Sequence, residues 1–366
     1  MTDDRDLRYL HRALELARAG IGRASPNPCV GALVVDAAGN IVGEGTHLYA
    51  ARKHAEIVAL EQAGGRAAGA SLYLNLEPCC HTGRTGPCTE AVIRSGVKTV
   101  VVAMIDPNPQ VAGKGLAQLR AAGIEVRYGL CEAEARKLNE SFTRWIRTGR
   151  PLVTLKSAMT LDARIALPQG GGAITGEAAR AQVQQLRHAS DAILVGVGTV
   201  LQDDPLLTDR SGLARGRPLL RAVLDSQLRT PPDARLVQSA QDDVLLFYTA
   251  ADERRRHALE ERGVRLVQAG DGPRCDLEAV VSWLGGHAVT SLLVEGGSAV
   301  NSAALAAGIV DKVFFFYAPR LLGPQAVPFV QGAAEGFPLD VQSPSWHRFG
   351  DDFAVEGYLR DPYAAG

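Results

Sequence analysis

Apolar positions in the first part of the chain change period several times. Over residues 5–19, Leu7, Leu10, Leu14 and Ala17 recur every three or four positions and Gly20 follows, which predicts an amphipathic helix with a stop. Short apolar runs at 30–35 and 41–42 flank Ala-Ala-Gly-Asn and predict a hairpin. Helical spacing from His54 to Ala63 precedes an apolar strand, 72–76, that closes on Glu77-Pro78. The pattern then predicts a helix from about 89 to 94, a strand at 99–105, a helix at 113–122, a strand at 125–128 and a helix at 131–147. Such alternation points to an α/β sandwich with helices on both faces of a sheet.

Gly149 and Pro151 break the pattern after Trp145-Ile146-Arg147, and the domain boundary is expected there, giving domains 1–147 and 150–366. Beyond it, strands are predicted at 152–158, 192–197, 219–224, 244–249, 264–268, 290–295, 312–318 and 353–359. Helices are predicted at 177–189, 251–262, 276–284 and 299–307. This half is again α/β, with a β-rich tail.

Composition narrows the class. The 366 residues exceed one ordinary core, and 46% hydrophobic with 22% charged residues describes a globular chain. The net charge of -1 offers no basic field, which argues against nucleic acid as a partner. No apolar run reaches membrane-spanning length, so no membrane partner is expected, and the polar start Met-Thr-Asp-Asp-Arg-Asp does not resemble a signal peptide. Of six cysteines, three crowd between positions 79 and 88. That is metal usage in a reducing compartment, and a cytoplasmic protein is expected.

The cysteine crowd carries the first chemistry. His54-Ala55-Glu56 precedes Pro78-Cys79 and, further on, Cys88. A His two residues before a Glu, followed by Pro-Cys and a second Cys, resembles the zinc deaminases of amino-pyrimidines and purines. Catalytic zinc takes few protein ligands and keeps one position open for water. His54, Cys79 and Cys88 supply three ligands, and Glu56 stays spare to carry protons as the catalytic residue. Cys80 and His81 are rival ligands; a four-ligand structural zinc using one of them would leave Glu56 without a role.

Three stretches of the second half carry further polar content. They are Lys156-Ser157-Ala158-Met159-Thr160-Leu161-Asp162, the run Gly196-Val197-Gly198-Thr199 with the acid loop Asp203-Asp204-Pro205, and Glu295-Gly296-Gly297-Ser298. Glycines at strand ends allow close backbone approach, Ser298 is suited to cap a helix, and a phosphate would suit that helix start. The Gly-x-Gly-x-x-Gly dinucleotide fingerprint is absent.

The run Cys-x-His-x-Gly-Arg-Thr-x-Pro-Cys, from Cys79 to Cys88, resembles the deaminase half of the bifunctional riboflavin-biosynthesis enzymes. Its eight-residue gap differs from the two-residue gap of cytidine and tRNA deaminases. Ser25-Pro26-Asn27-Pro28-x-Val30-Gly31 resembles that family's substrate loop, and the three later stretches resemble its reductase half. The resemblance implies a cytidine-deaminase-like three-layer αβα domain followed by a dihydrofolate-reductase-like α/β domain. It implies zinc-dependent deamination of a phosphoribosylamino-pyrimidine, then NADPH reduction of its ribosyl chain to ribityl, in a homodimer or homotetramer. Asn27, His47 and the Cys80 to Thr85 loop would line the deaminase site. Ala158, Ala173, Thr199, Asp203, Ser226 and Gly297, Ser298, Ala299, Val300, Asn301, Ser302 and Ala303 would contact NADPH. Gly171, Arg187, Leu207, Arg210 and Glu295 would contact the substrate, with Arg187 and Arg210 suited to its phosphate. Lys156 and Glu295 would polarise or protonate the sugar. The chain departs from the family at Gly86, Cys80 and Ala163. A deaminase of another amino-heterocycle with a degenerate second domain is the alternative.

Overall fold

The computed structural model describes residues 2–82, 86–167, 172–332 and 337–364. They separate into one unit reaching to Thr148 together with Ala214–Arg217, and a second of Gly149–Leu213 with Pro218–Ala364.

The first unit runs α1 (Thr2–Arg18), β1 (Gly31–Val35), β2 (Ile41–Thr46), α2 (Ala55–Ala63), β3 (Ser71–Leu76), α3 (Cys88–Arg94), β4 (Thr99–Met104), α4 (Lys114–Ala121), β5 (Glu125–Tyr128), α5 (Glu132–Leu138) and α6 (Glu140–Thr148). Its sheet has the order β2-β1-β3-β4-β5, with β1 antiparallel to both neighbours and β3, β4 and β5 parallel. Every residue of β1 and β4 is buried, as expected of strands covered on both faces. Glycines fix how closely the layers approach. A Cβ on Gly31 of β1 would lie 2.0 Å from the Ala13 carbonyl oxygen of α1, and one on Gly45 of β2 would lie 2.0 Å from the Ala55 carbonyl oxygen of α2. Gly45 pairs with Ala32, the neighbour of Gly31, so α1 and α2 cover opposite faces.

The helix expected at 131–147 is two helices, α5 and α6, broken at Asn139. The buried Asn139 side chain accepts from Cys29 N at 2.8 Å and donates to Cys29 O at 3.1 Å. Periodicity cannot register this contact, because its partner lies 110 residues away.

The second unit runs β6 (Leu152–Thr160), β7 (Arg164–Ala166), α7 (Glu177–Ala189), β8 (Ala192–Gly196), α8 (Val197–Asp203), β9 (Leu220–Leu224), α9 (Arg235–Gln238), β10 (Val244–Tyr248), α10 (Glu253–Glu260), β11 (Arg265–Gln268), α11 (Leu277–Gly286), β12 (Ser291–Val294), α12 (Ser298–Ala306), β13 (Lys312–Ala318), β14 (Val327–Pro328), β15 (Gln342–Phe349) and β16 (Asp352–Tyr358). A nine-stranded sheet has the order β11-β10-β9-β8-β12-β6-β13-β16-β15, parallel as far as β13 and closed by the antiparallel β16 and β15. Strand alternation divides the core: Ala192 and Leu194 join Val281 and Leu284 on one face, while Ile193 and Val195 join Leu236 and Leu259 on the other. Fully burying one such side chain stabilises by roughly 1.5–3 kcal/mol.

Two local expectations are corrected here. The stretch after Gly196 is the helix α8, so Thr199 and Asp203 sit on a helix and only Asp204, with φ of 40°, starts the acid loop. Ser298 does not cap α12; Gly297 is the capping residue and Ser298 is the first helical one.

Candidate active sites

In the first unit the metal-type donors converge. His54 is the N-cap of α2, Glu56 lies in its first turn, and Cys88 opens α3. Cys79 follows the end of β3, the edge at which α/β folds place ligands. His54 Nδ1 lies 3.1 Å from Cys88 Sγ and 3.5 Å from Cys79 Sγ, and the three donor atoms lie within 4.8 Å of one another. Cys80 and His81 are outside this cluster. Cys88 N donates to Cys79 Sγ at 3.4 Å, a helix-start amide directed at a sulfur.

The electrostatics are those of a compact, desolvated site. The hydrogen bond with Cys88, joined by those from His54 and the Cys88 amide, holds the Cys79 thiol at about 4. Cys88 is pushed up, by that same bond and by burial. The hydrogen bond to Cys79 raises His54. Glu56 is buried, and burial with the Cys79 charge raises its carboxyl, so it holds a proton more readily than an exposed glutamate.

These groups open on a cavity of about 350 Å³ lined by Asn27, His47, His54, Glu56 and Cys79. His47 Nδ1 contacts the Lys53 carbonyl at 2.8 Å and must donate to it. Its Nε2, 3.0 Å from Asn27 Nδ2, therefore accepts, which leaves Asn27 Oδ1 as the acceptor of that side chain. Burial lowers His47 and keeps the neutral ring this arrangement needs. Of the loop expected to line the site, His81 faces the cavity, whereas Gly83, Arg84 and Thr85 lie outside the described residues.

Sequence reasoning missed Asp106, Asn108, Phe142 and Trp145, which also line this cavity. Burial, reinforced by nearby carboxylates and Cys79, pushes Asp106 up to about 7. The available signal was Asp106-Pro107-Asn108-Pro109, a polar turn directly beyond a buried strand.

The second unit holds a larger cavity, about 1140 Å³, at the carboxyl ends of its parallel strands. Lys156 and Ala158 reach it from β6, Gly196 from β8, Ser226 from beyond β9 and Glu295 from beyond β12. Thr199, Asp203, Gly297, Ser298, Ala299, Val300 and Ala303 line it as well. A Cβ on Gly196 would meet Val300 Cγ2 at 2.7 Å, and one on Gly296 would meet Val300 Cβ at 2.6 Å, so glycine lets α12 close on the strand ends. Ser298 Oγ, on the cavity wall, is buried without a hydrogen-bond partner.

Beside the cavity, Glu295 Oε1 accepts from Arg187 Nε at 2.7 Å, and Oε2 accepts from Arg187 at 3.1 Å and from Lys156 Nζ at 3.4 Å. Arg187 also donates to Thr208 O, so its guanidinium is committed within the protein. Ala173, Leu207, Arg210, Asn301 and Ser302 are not among the residues lining the cavity. Leu207 is buried with φ of 55°, Arg210 is exposed with its amide on Gln184 Oε1, and Ser302 Oγ accepts from Gln331 N. Gly171 lies outside the described residues. Arg229, Arg274 and Cys275 line the cavity without having been anticipated.

A His/Cys/Cys donor set beside a spare buried carboxylate, joined in one chain to a cavity at parallel strand ends under a glycine-rich helix start, defines a two-site deaminase–reductase. Residues 3–104 match the family described as cytidine and deoxycytidylate deaminase zinc-binding region, and residues 151–355 match the RibD C-terminal domain. The riboflavin biosynthesis protein RibD of Actinobacillus pleuropneumoniae is 45% identical over 321 residues, 87% of this chain and 85% of that protein. The Escherichia coli protein of the same name is 43% identical over 330 residues, covering 87% and 89%. Acinetobacter baumannii RibD superposes with a TM-score of 0.87 at 36% identity over 97% of this chain and 99% of that one. A deaminase/reductase structure from Thermotoga maritima, titled diaminohydroxyphosphoribosylaminopyrimidine deaminase/5-amino-6-(5-phosphoribosylamino)uracil reductase, gives 0.84 at 35% identity over 98% and 99%. The chain belongs to the RibD family and is a bifunctional deaminase and reductase of riboflavin biosynthesis.

Its cofactors are zinc and NADPH. The residues present fit both. Two sulfurs and one imidazole nitrogen are a catalytic zinc donor set. The glycine contacts of α12 and the unpartnered Ser298 hydroxyl on the cavity wall suit a large polar cofactor. Among the described residues no helix is long and apolar enough to cross a membrane.

Proposed function

We propose that the first unit deaminates 2,5-diamino-6-(5-phosphoribosylamino)pyrimidin-4-one and that the second reduces the ribosyl chain of the product to ribityl. The observation that carries the first step is the convergence of His54, Cys79 and Cys88 beside the buried Glu56. His54, Cys79 and Cys88 hold the metal, and bound zinc supplies the Lewis acidity that makes water nucleophilic at neutral pH. Glu56 takes a proton of the attacking water on a carboxylate oxygen and delivers it to the ring nitrogen, then carries the remaining proton of the added hydroxyl to the amine, which departs as ammonia. Asn27 Oδ1 accepts from an N–H of the pyrimidine, and His47 holds that amide in place.

For the second step, Gly297, Ser298 and the start of α12 hold NADPH, which supplies the reducing equivalent. Glu295 orients Lys156, and Lys156 Nζ delivers a proton to the sugar oxygen released as C1′ is reduced. Arg210 reaches the substrate phosphate from the exposed loop after Leu207.

Two broader readings accompany this one. Among the described residues, which include all six cysteines, there is no disulfide, which supports a reducing, cytoplasmic location. The edge strand β15 exposes Trp346 to 70%, with Leu339 and Val341 exposed beside it, which supports self-association into a homo-oligomer.

Turnover of the phosphoribosylamino-pyrimidine tests the reading. Without NADPH the deaminated uracil accumulates; with it, the ribityl product follows. Absence of ammonia release, or consumption of NADPH without any prior deamination, overturns it.

A further inference from the structure

We propose that Glu77 is a positioning residue for deamination: its carboxylate holds the loop that carries Asp106 and Asn108 in register with the strand end that carries Cys79. The inference rests on the first cavity being the deaminase substrate site, as read above.

Glu77 is buried, and both of its oxygens are occupied by backbone amides. Oε2 accepts from Asp106 N at 3.1 Å and from Gly113 N at 2.8 Å, and Oε1 accepts from Leu116 N at 3.2 Å. These amides bracket the loop, one at its start and two at the beginning of α4. The backbone of Glu77 adds a bond to Met104 O at the end of β4, and Cys79 O accepts from Thr89 N in α3. One side chain, two residues before Cys79, thus ties the β3 end to both ends of the 106–113 loop.

A second observation points the same way. A Cβ on Gly115 would lie 2.3 Å from Pro78 O and 3.1 Å from Glu77 Oε1, so α4 is pressed against the Glu77-Pro78 backbone as only glycine permits. Within the loop, Asp106 Oδ1 accepts from Asn108 N and Asn108 Oδ1 from Gln110 N, which makes it stiff between its anchors. Asp106, Asn108 and Gln110 then face the same cavity as Cys79 and Glu56. Glu77 does not act on the reacting atoms; it sets the distance between the wall that faces the substrate and the wall that holds the metal.

Glutamine at this position keeps one acceptor oxygen and turns an NH₂ group toward amide donors. The full-length Glu77→Gln protein is assayed for deamination of the phosphoribosylamino-pyrimidine, for zinc per chain, for reduction by the second unit, and for amide hydrogen exchange. The expected result is wild-type zinc and reduction, a deamination KM raised about tenfold, the scale of one buried donor left unpaired, and kcat changed less than about threefold. Exchange accelerates at Asp106, Gly113 and Leu116. A KM and kcat matching wild type, or a fall in kcat with KM unchanged, overturns the proposal. Gly115→Ala tests it without altering Glu77 or a metal ligand. A raised KM with zinc retained supports the proposal even where Glu77→Gln fails to fold, and an unchanged KM overturns it. Wild-type protein that does not deaminate this pyrimidine refutes the substrate reading instead, and the exchange measurement then decides the role of Glu77.

Discussion

Replacing Glu295 by glutamine removes one negative charge from a buried group of three. The side chains of Glu295, Arg187 and Lys156 are exposed by only 11%, 12% and 13%. Burial alone would push the carboxyl up; the charges and hydrogen bonds of Lys156 and Arg187 outweigh it and hold Glu295 at about 2, against an ordinary 4.5. That depression corresponds to about 3 kcal/mol of folding stability. The folded value lies below the unfolded one, so the contribution is complete above about pH 4.5 and is lost as pH falls towards 2. Glu295→Gln is nearly isosteric and leaves Arg187 and Lys156 facing each other without a counter-charge. Urea unfolding of the full chain at a series of pH values measures the effect. The expected gap between wild type and variant is about 3 kcal/mol at pH 7, constant down to pH 5 and narrowing below about pH 4.5. A gap under about 0.5 kcal/mol at pH 7, or one that widens on acidification, refutes the reasoning.

Two further outcomes probe the cofactor sites. Glu56→Gln retains zinc, since the three donors are untouched, while deamination falls by about 10²–10⁴-fold; metal analysis beside an ammonia-release assay checks this, and unchanged deamination removes Glu56 as proton carrier. Gly296→Ala forces a methyl group within 2.6 Å of Val300, and overpacking of this kind costs roughly 1–3 kcal/mol. Titration with NADPH should show binding weakened about tenfold with deamination intact, and an unchanged affinity would separate Val300 packing from the cofactor site.

Local pattern made most of the elements legible. Short parallel strands are buried on both faces, so Val100 to Met104 or Leu245 to Phe247 stand out as apolar runs, and α1 shows its stripe. The donors were legible for a chemical reason: zinc needs imidazole and thiolate, and few sequences crowd three cysteines beside a His-x-Glu. Three features escaped this reading. Asn139 breaks a helix to clasp Cys29, the glycine-rich stretch after Gly196 winds into α8, and the β15 edge strand is largely exposed, so no buried apolar run marks it.

By itself, the sequence determined most of the order of elements, the candidate metal donors and the two-part plan, because each is written in neighbouring residues. Only the tertiary structure decided which distant groups meet. Arg187 and Glu295 are 108 residues apart, and Glu77 binds amides 29, 36 and 39 residues downstream. Such contacts follow from strand order and helix packing, and nothing in the local periodicity encodes them. The chain spells out the chemistry; the two walls of the deaminase cavity and the charge held by Glu295 exist only once the sheets have formed.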